Sequence, residues 1–140
     1  MNEVSLPYHL IIPSIISILI LGIVFYKRKT LFKSGKWKWF WISLTVFFTI
    51  YLLIVGGATY SNISSELTLQ KFDLNGDGFF SGNEITPEQK AAMRSYISDT
   101  GRNISFIIGL IFSGTIAFFV FGIGKITEYI MNKKTTRDNV

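Results

Sequence analysis

WFWISLTVFFTIYLLIVGGATY, residues 39–60, contains no Asp, Glu, Lys or Arg. The hydrocarbon core of a bilayer takes roughly 20 apolar helical residues to cross, so this stretch has the length of a membrane span. Two other stretches share the pattern, Tyr8 to Tyr26 and Ile104 to Ile123. Buried helices of soluble proteins are usually shorter and carry a polar stripe. The whole chain of 140 residues is 49% hydrophobic, 16% aromatic and 16% charged, with a mean hydropathy of +0.38. The expected fold is all-α, with three transmembrane helices.

The first apolar stretch is read as a retained helix rather than a signal peptide. A signal peptide places positive charge before its apolar run. Here MNEVSLP precedes the run, with Glu3 and no Lys or Arg, and the basic residues follow it in KRKTLFKSGKWK. Pro13 lies near the start of this helix, where a mild kink is expected.

Charge sets the orientation. The loop 27–38 holds Lys27, Arg28, Lys29, Lys33, Lys36 and Lys38, and the tail holds Lys125, Lys133, Lys134 and Arg137. Three spans put these ten residues on one side, against Lys71, Lys90, Arg94 and Arg102 on the other. Positive charge is retained inside, so the basic loop and C-terminus are predicted to be cytoplasmic. The N-terminus and residues 61–103 then face outward. Tyr8, Tyr26, Trp37, Trp39, Trp41 and Tyr60 fall near the proposed interfaces, where aromatic residues concentrate. This placement explains the net charge of +5 without a nucleic-acid partner. The basic run also suits anionic lipids, a role compatible with fixing topology.

Between the second and third spans lies one polar island, DLNGDGFFSGNE, residues 73–84. It satisfies D-x-[DN]-x-[DN]-G-x5-E throughout. Calcium takes 6–8 hard oxygen ligands in flexible geometry, and the donors here are Asp73, Asn75, Asp77, the Phe79 carbonyl, Ser81 and Glu84. Gly78 permits the sharp turn because it has no Cβ. Ser81 ligates weakly or through water, and the longer Glu84 reaches back bidentately. Three carboxylates against a divalent charge favour Ca²⁺ over the smaller, more tightly hydrated Mg²⁺. Leu69 and Phe72 precede the loop on one helix face. Ser81 and Glu84 have capping-box spacing. Thr86-Pro87-Glu88-Gln89 reads as a new helix start with Pro at its first position, the helix running to about Thr100 with Gly101 as its stop.

Over roughly residues 63–100 the chain resembles the EF-hand family. The resemblance implies Ca²⁺ as cofactor, bound by Asp73, Asn75, Asp77, Phe79, Ser81 and Glu84, with Phe80 at the loop position that usually bridges to a second loop. EF-hands usually pair, and no second loop is found: the pattern started at Asp99 places Leu110 at the last ligand position, inside the third span. Pairing with a second copy, with another protein, or with nothing remain alternatives.

Other features carry less. Ser105, Gly109, Ser113 and Ala117 recur at spacing four, a small-residue stripe that lets helices approach closely, toward the chain's own second span or another chain. His9 is the sole histidine, read as a bystander. Asn62 and Asn103 fit the glycosylation sequon by chance, and Asn103 is expected to cap the third span. With no cysteine there is no disulfide, thiolate metal site or cysteine nucleophile. Without a catalytic set or an intramembrane charge, the chain reads as neither enzyme nor pump.

The expected organisation is therefore residues 1–60 as spans one and two with the cytoplasmic loop 27–38, residues 61–102 as an extracytoplasmic EF-hand, and residues 103–140 as span three with a cytoplasmic tail. The expected function is an integral membrane calcium sensor or regulatory subunit, in contact with the lipid bilayer and with a membrane-protein partner or further copies of itself. A structural subunit with a calcium-stabilised external contact is the alternative. A homo-oligomeric channel lined by Ser43, Thr45, Thr49, Ser113 and Thr115 ranks last, since hydroxyls in spans usually bond the backbone one turn back.

Overall fold

The computed structural model describes residues 5–33, 35, 37–97 and 100–138. Glu3, Lys36 and Asp99 lie outside the described residues, as does the side chain of Arg137. All regular structure among the described residues is helical: α1 (Tyr8–Tyr26), α2 (Arg28–Leu31), α3 (Lys38–Gln70), α4 (Pro87–Ile97) and α5 (Thr100–Asp138), with one 3₁₀ turn at Gly82–Glu84. The helices that carry the three apolar stretches, α1, α3 and α5, are long and apolar enough to cross a bilayer, as an integral membrane protein requires.

Helix α3 is central. Both α1 and α5 pack along it, antiparallel, and touch each other little. One end of the bundle gathers the start of α1, the end of α3, the loop and the start of α5, where His9 meets Phe106 edge to face with centroids 6.0 Å apart. The other end gathers α2, the described basic residues of 27–38 and the later part of α5.

The bundle buries small and polar groups and exposes large apolar ones. Ser17 and Ser113 are fully buried, whereas Leu53, Ile111 and Phe118 are largely exposed. Lipid-facing helices have this inversion, because lipid tails are as apolar as Leu and association rests on close contact between small residues. The stripe Ser105, Gly109, Ser113 and Ala117 faces inward. Its partner is the chain's own α3. A Cβ on Gly109 would lie 3.2 Å from the Tyr51 ring, and Ser43 Oγ donates to the Ala117 carbonyl at 2.6 Å.

Two local expectations change. The helix after the loop is described as far as Ile97, residues 98–99 lying outside the described residues, and Gly101 lies in the first turn of α5 rather than at a helix stop. The Ser95 and Tyr96 carbonyls accept from Arg102. Asn103 is consequently an exposed residue inside α5, not its cap. Of the hydroxyls in the spans, Thr45, Ser113 and Thr115 each donate to the carbonyl four residues back.

Candidate metal centre

The end of α3 leads straight into the acidic loop. Phe72 and Asp73 N–H groups close the last turn onto the Leu69 and Gln70 carbonyls. The chain then folds around its own carboxylates and amide. Asp73 Oδ1 accepts from Gly76 N–H at 2.8 Å and Oδ2 from Gly78 N–H at 3.0 Å. Asn75 Oδ1 accepts from Asp77 N–H at 3.0 Å, and Asp77 Oδ1 from Phe79 N–H at 2.7 Å. Asn75 Nδ2 donates to Asp77 Oδ2 at 2.9 Å. These short side chains turn back on the backbone two to five residues ahead, as Asp and Asn do in tight turns. Gly78 is needed for the curl, since its φ of +81° lies where a Cβ is strained.

Glu84 closes the loop. Its Oε1 accepts from Leu74 and Asn75 N–H at 2.8 and 3.2 Å, and its Oε2 from Ser81 N–H at 3.0 Å. The carboxylate is 6% exposed and joins the first residues of the loop to the last. Ser81 and Glu84 form the capping box that their spacing predicts. Thr86 then starts α4, with Gln89 N–H donating to Thr86 Oγ1 at 3.1 Å. Glu88, in that first turn, has its carboxyl pKa lowered by hydrogen bonds from its own backbone N–H and from Thr86.

The six donors predicted from sequence thus lie in one turn of chain. Asn75, Asp77 and Ser81 are exposed, Asp73 is half-buried and Glu84 buried. Phe79 turns its ring outward, 76% exposed, so its carbonyl is the group it can contribute. The acidic side chains are not gathered: among the described residues no three of His, Cys, Asp or Glu are close enough together to hold a metal ion. Backbone N–H groups take up the carboxylate oxygens.

Two buried charged residues beside the loop escaped sequence reasoning. Glu66 is 7% exposed. Its Oε1 accepts from Ser5 N–H at 2.6 Å, and with Gln70, Asp73, Gly78, Phe80 and Tyr96 it lines a cavity of about 200 Å³. Arg102 is also 7% exposed. Its Nη1 donates to the Ser61 carbonyl at 3.0 Å and to Ser65 Oγ at 2.6 Å. In sequence Arg102 counted only as one of four charges on its side. The signal available was a lone Arg just before an apolar run, with serines at positions four apart near the end of the preceding helix.

Comparison of the chain with protein-family models, with curated proteins and with solved structures finds no match.

Proposed function

We propose that this is an integral membrane calcium-binding protein, a sensor or regulatory subunit whose loop 73–84 is an extracytoplasmic EF-hand. The observation that carries the proposal is the reach of Glu84 back to the N–H groups of Leu74 and Asn75. The twelfth loop residue thus reaches the second and third, which supports a loop that closes around one ion. The donor chemistry fits calcium: Asp73, Asp77 and Glu84 supply hard anionic oxygens, Asn75, Ser81 and the Phe79 carbonyl neutral ones. Calcium would supply the attraction that gathers three carboxylates which the backbone now holds singly.

The excess of Lys and Arg on the side of the 27–38 loop supports a cytoplasmic basic end and an outward loop. An outward site needs only modest affinity, since extracellular modules bind calcium at roughly 10⁻⁴–10⁻³ M. The partner is a membrane protein or a second copy. A structural role is the second reading, favoured by Leu74 and Phe79, each 76% exposed on the loop. Large apolar groups on a polar loop suit an external protein contact.

Calorimetric titration of the detergent-purified chain with calcium, beside Glu84→Gln, tests the assignment. Saturable binding that the variant loses supports it. Wild-type protein that takes up no calcium to about 10 mM, above the extracellular range, removes it.

A further inference from the structure

One guanidinium joins three helices at the loop end of the bundle. Arg102 sits in the first turn of α5. Its Nη1 faces α3, donating to the Ser61 carbonyl, to Ser61 Oγ at 3.3 Å and to Ser65 Oγ. Its Nη2 faces the end of α4, donating to the Ser95 carbonyl and to the Tyr96 carbonyl at 3.3 Å. Those carbonyls lie close to Ile97, the last described residue of α4. A planar fork of donors can satisfy two helices at once. A lysine ammonium, a compact point charge, cannot keep that geometry.

The flanking helices differ in how they can respond to the loop. Helix α3 runs unbroken for 33 residues, about 50 Å at 1.5 Å per residue, from the basic end to within three residues of Asp73. The arm leading into the loop is therefore the same rod as the central span. Rearrangement of the loop must emerge in α4 instead, because Glu84 lies just before it. Helix α4 connects onward through residues 98–99 and through Arg102. The face of α5 that follows, Ser105, Gly109, Ser113, carries small side chains that bring it close against α3.

We infer that Arg102 is the positioning residue that transmits calcium binding from the loop to the packing of α5 on α3. The inference rests on the calcium reading of the loop and adds to it the residue through which that event crosses into the spans. Were calcium bound, Glu84 would leave the N–H groups of Leu74, Asn75 and Ser81, and α4, which follows it, would be re-aimed. The Ser95 and Tyr96 carbonyls carry the guanidinium with them, and α5 shifts along α3. At the far end Trp39 lies against Gly124 of α5, so its indole reports the shift from the opposite end of the bundle.

The test uses the full chain in detergent with Trp37→Phe and Trp41→Phe, leaving Trp39 as the sole tryptophan. Calcium binding is measured by calorimetry and Trp39 emission in the same titration. In the parent, emission is expected to change with the same midpoint as binding. Arg102→Met is expected to keep calcium affinity within about tenfold, inside the usual range of coupling between sites, and to lose the emission change. Arg102→Lys is expected to lose most of it. Ser61→Ala/Ser65→Ala removes side-chain acceptors but leaves the arginine, and is expected to weaken the response even if Arg102→Met fails to fold. A parent that binds calcium with silent Trp39, or variants that keep the full response, overturns the inference while leaving the calcium site standing. A parent that binds no calcium overturns both.

Discussion

Trp39 and Gly124 are in contact so close that a Cβ on the glycine would stand 2.1 Å from the indole ring. The ring is rigid and half-buried, so it cannot yield as the end of a flexible side chain would. Gly124→Ala should therefore push α5 from α3 at the basic end. Overpacking costs about 1–3 kcal/mol, more than the ~1 kcal/mol of helix propensity that alanine gains over glycine. Thermal unfolding in detergent should show a net loss. Gly109→Ala is the contrast: its nearest contacts, at 3.2 and 3.3 Å, need shifts of only tenths of an ångström, and the propensity gain should nearly cancel the cost. Equal destabilisation by the two substitutions would refute this account of the helix contact.

Ser43 joins α3 to α5 through one hydrogen bond. Its hydroxyl, in a side chain 9% exposed, donates to the Ala117 carbonyl, which also accepts within its own helix. Removing the donor therefore leaves no orphaned acceptor. Ser43→Ala should cost about 0.6 kcal/mol, the typical value for such bonds between membrane helices. Reversible unfolding in mixed micelles measures it. A loss several times larger would mean that Ser43 has a further role.

The curl of the loop depends on glycine at 78. Gly78→Ala places a Cβ at φ +81°, costing about 1–2 kcal/mol, and should weaken calcium binding by roughly tenfold, since 1.4 kcal/mol is a factor of ten. Glu84→Asp tests reach. The shorter side chain cannot span from Ser81 N–H to Leu74 N–H, and calorimetry should show affinity falling toward that of Glu84→Gln. Retained affinity in Glu84→Asp would mean that the loop closes by another residue.

Helix α4 should respond to acid through Glu88. Its folded pKa lies below the ordinary 4.5, because its own backbone N–H and Thr86 hydrogen-bond the charged form. The unfolded state then binds protons first as pH falls. The contribution is present above pH 4.5 and is lost as pH drops through the lowered folded value. Thr86→Ala removes one of these donors and the helix cap, costing about 0.5–2 kcal/mol. Side-chain carboxyl titration followed by NMR should place Glu88 closer to its ordinary value in the variant. An unchanged titration would show that Thr86 has no part in it.

Much of the loop was legible because its interactions are local. Ser81 with Glu84, and Thr86 with Gln89, are three residues apart. Asp73, Asn75 and Asp77 bond to N–H groups within five residues. Arg102 and Glu66 were not legible in the same way. Arg102 meets serines 41 and 37 residues away, and Glu66 meets a backbone N–H 61 residues away. The small-residue stripe on α5 was visible, but whether it met its own chain or another was not.

The sequence by itself determined three helices of spanning length, the charge asymmetry of the loops, and the donor types and turn chemistry of residues 73–84. Spanning length and apolar composition are properties of a contiguous stretch, and caps and turns close within a few residues. Only the tertiary structure decided that α3 is the central helix, that it continues unbroken into the loop, and that Arg102 ties α4 and α5 to it. The physical reason is that spans apolar all round carry no hydrophobic face pointing at a neighbour. Which faces meet is settled by close approach of small residues such as Gly109 and Gly124 and by a few long-range polar contacts, and both exist only once the helices are side by side.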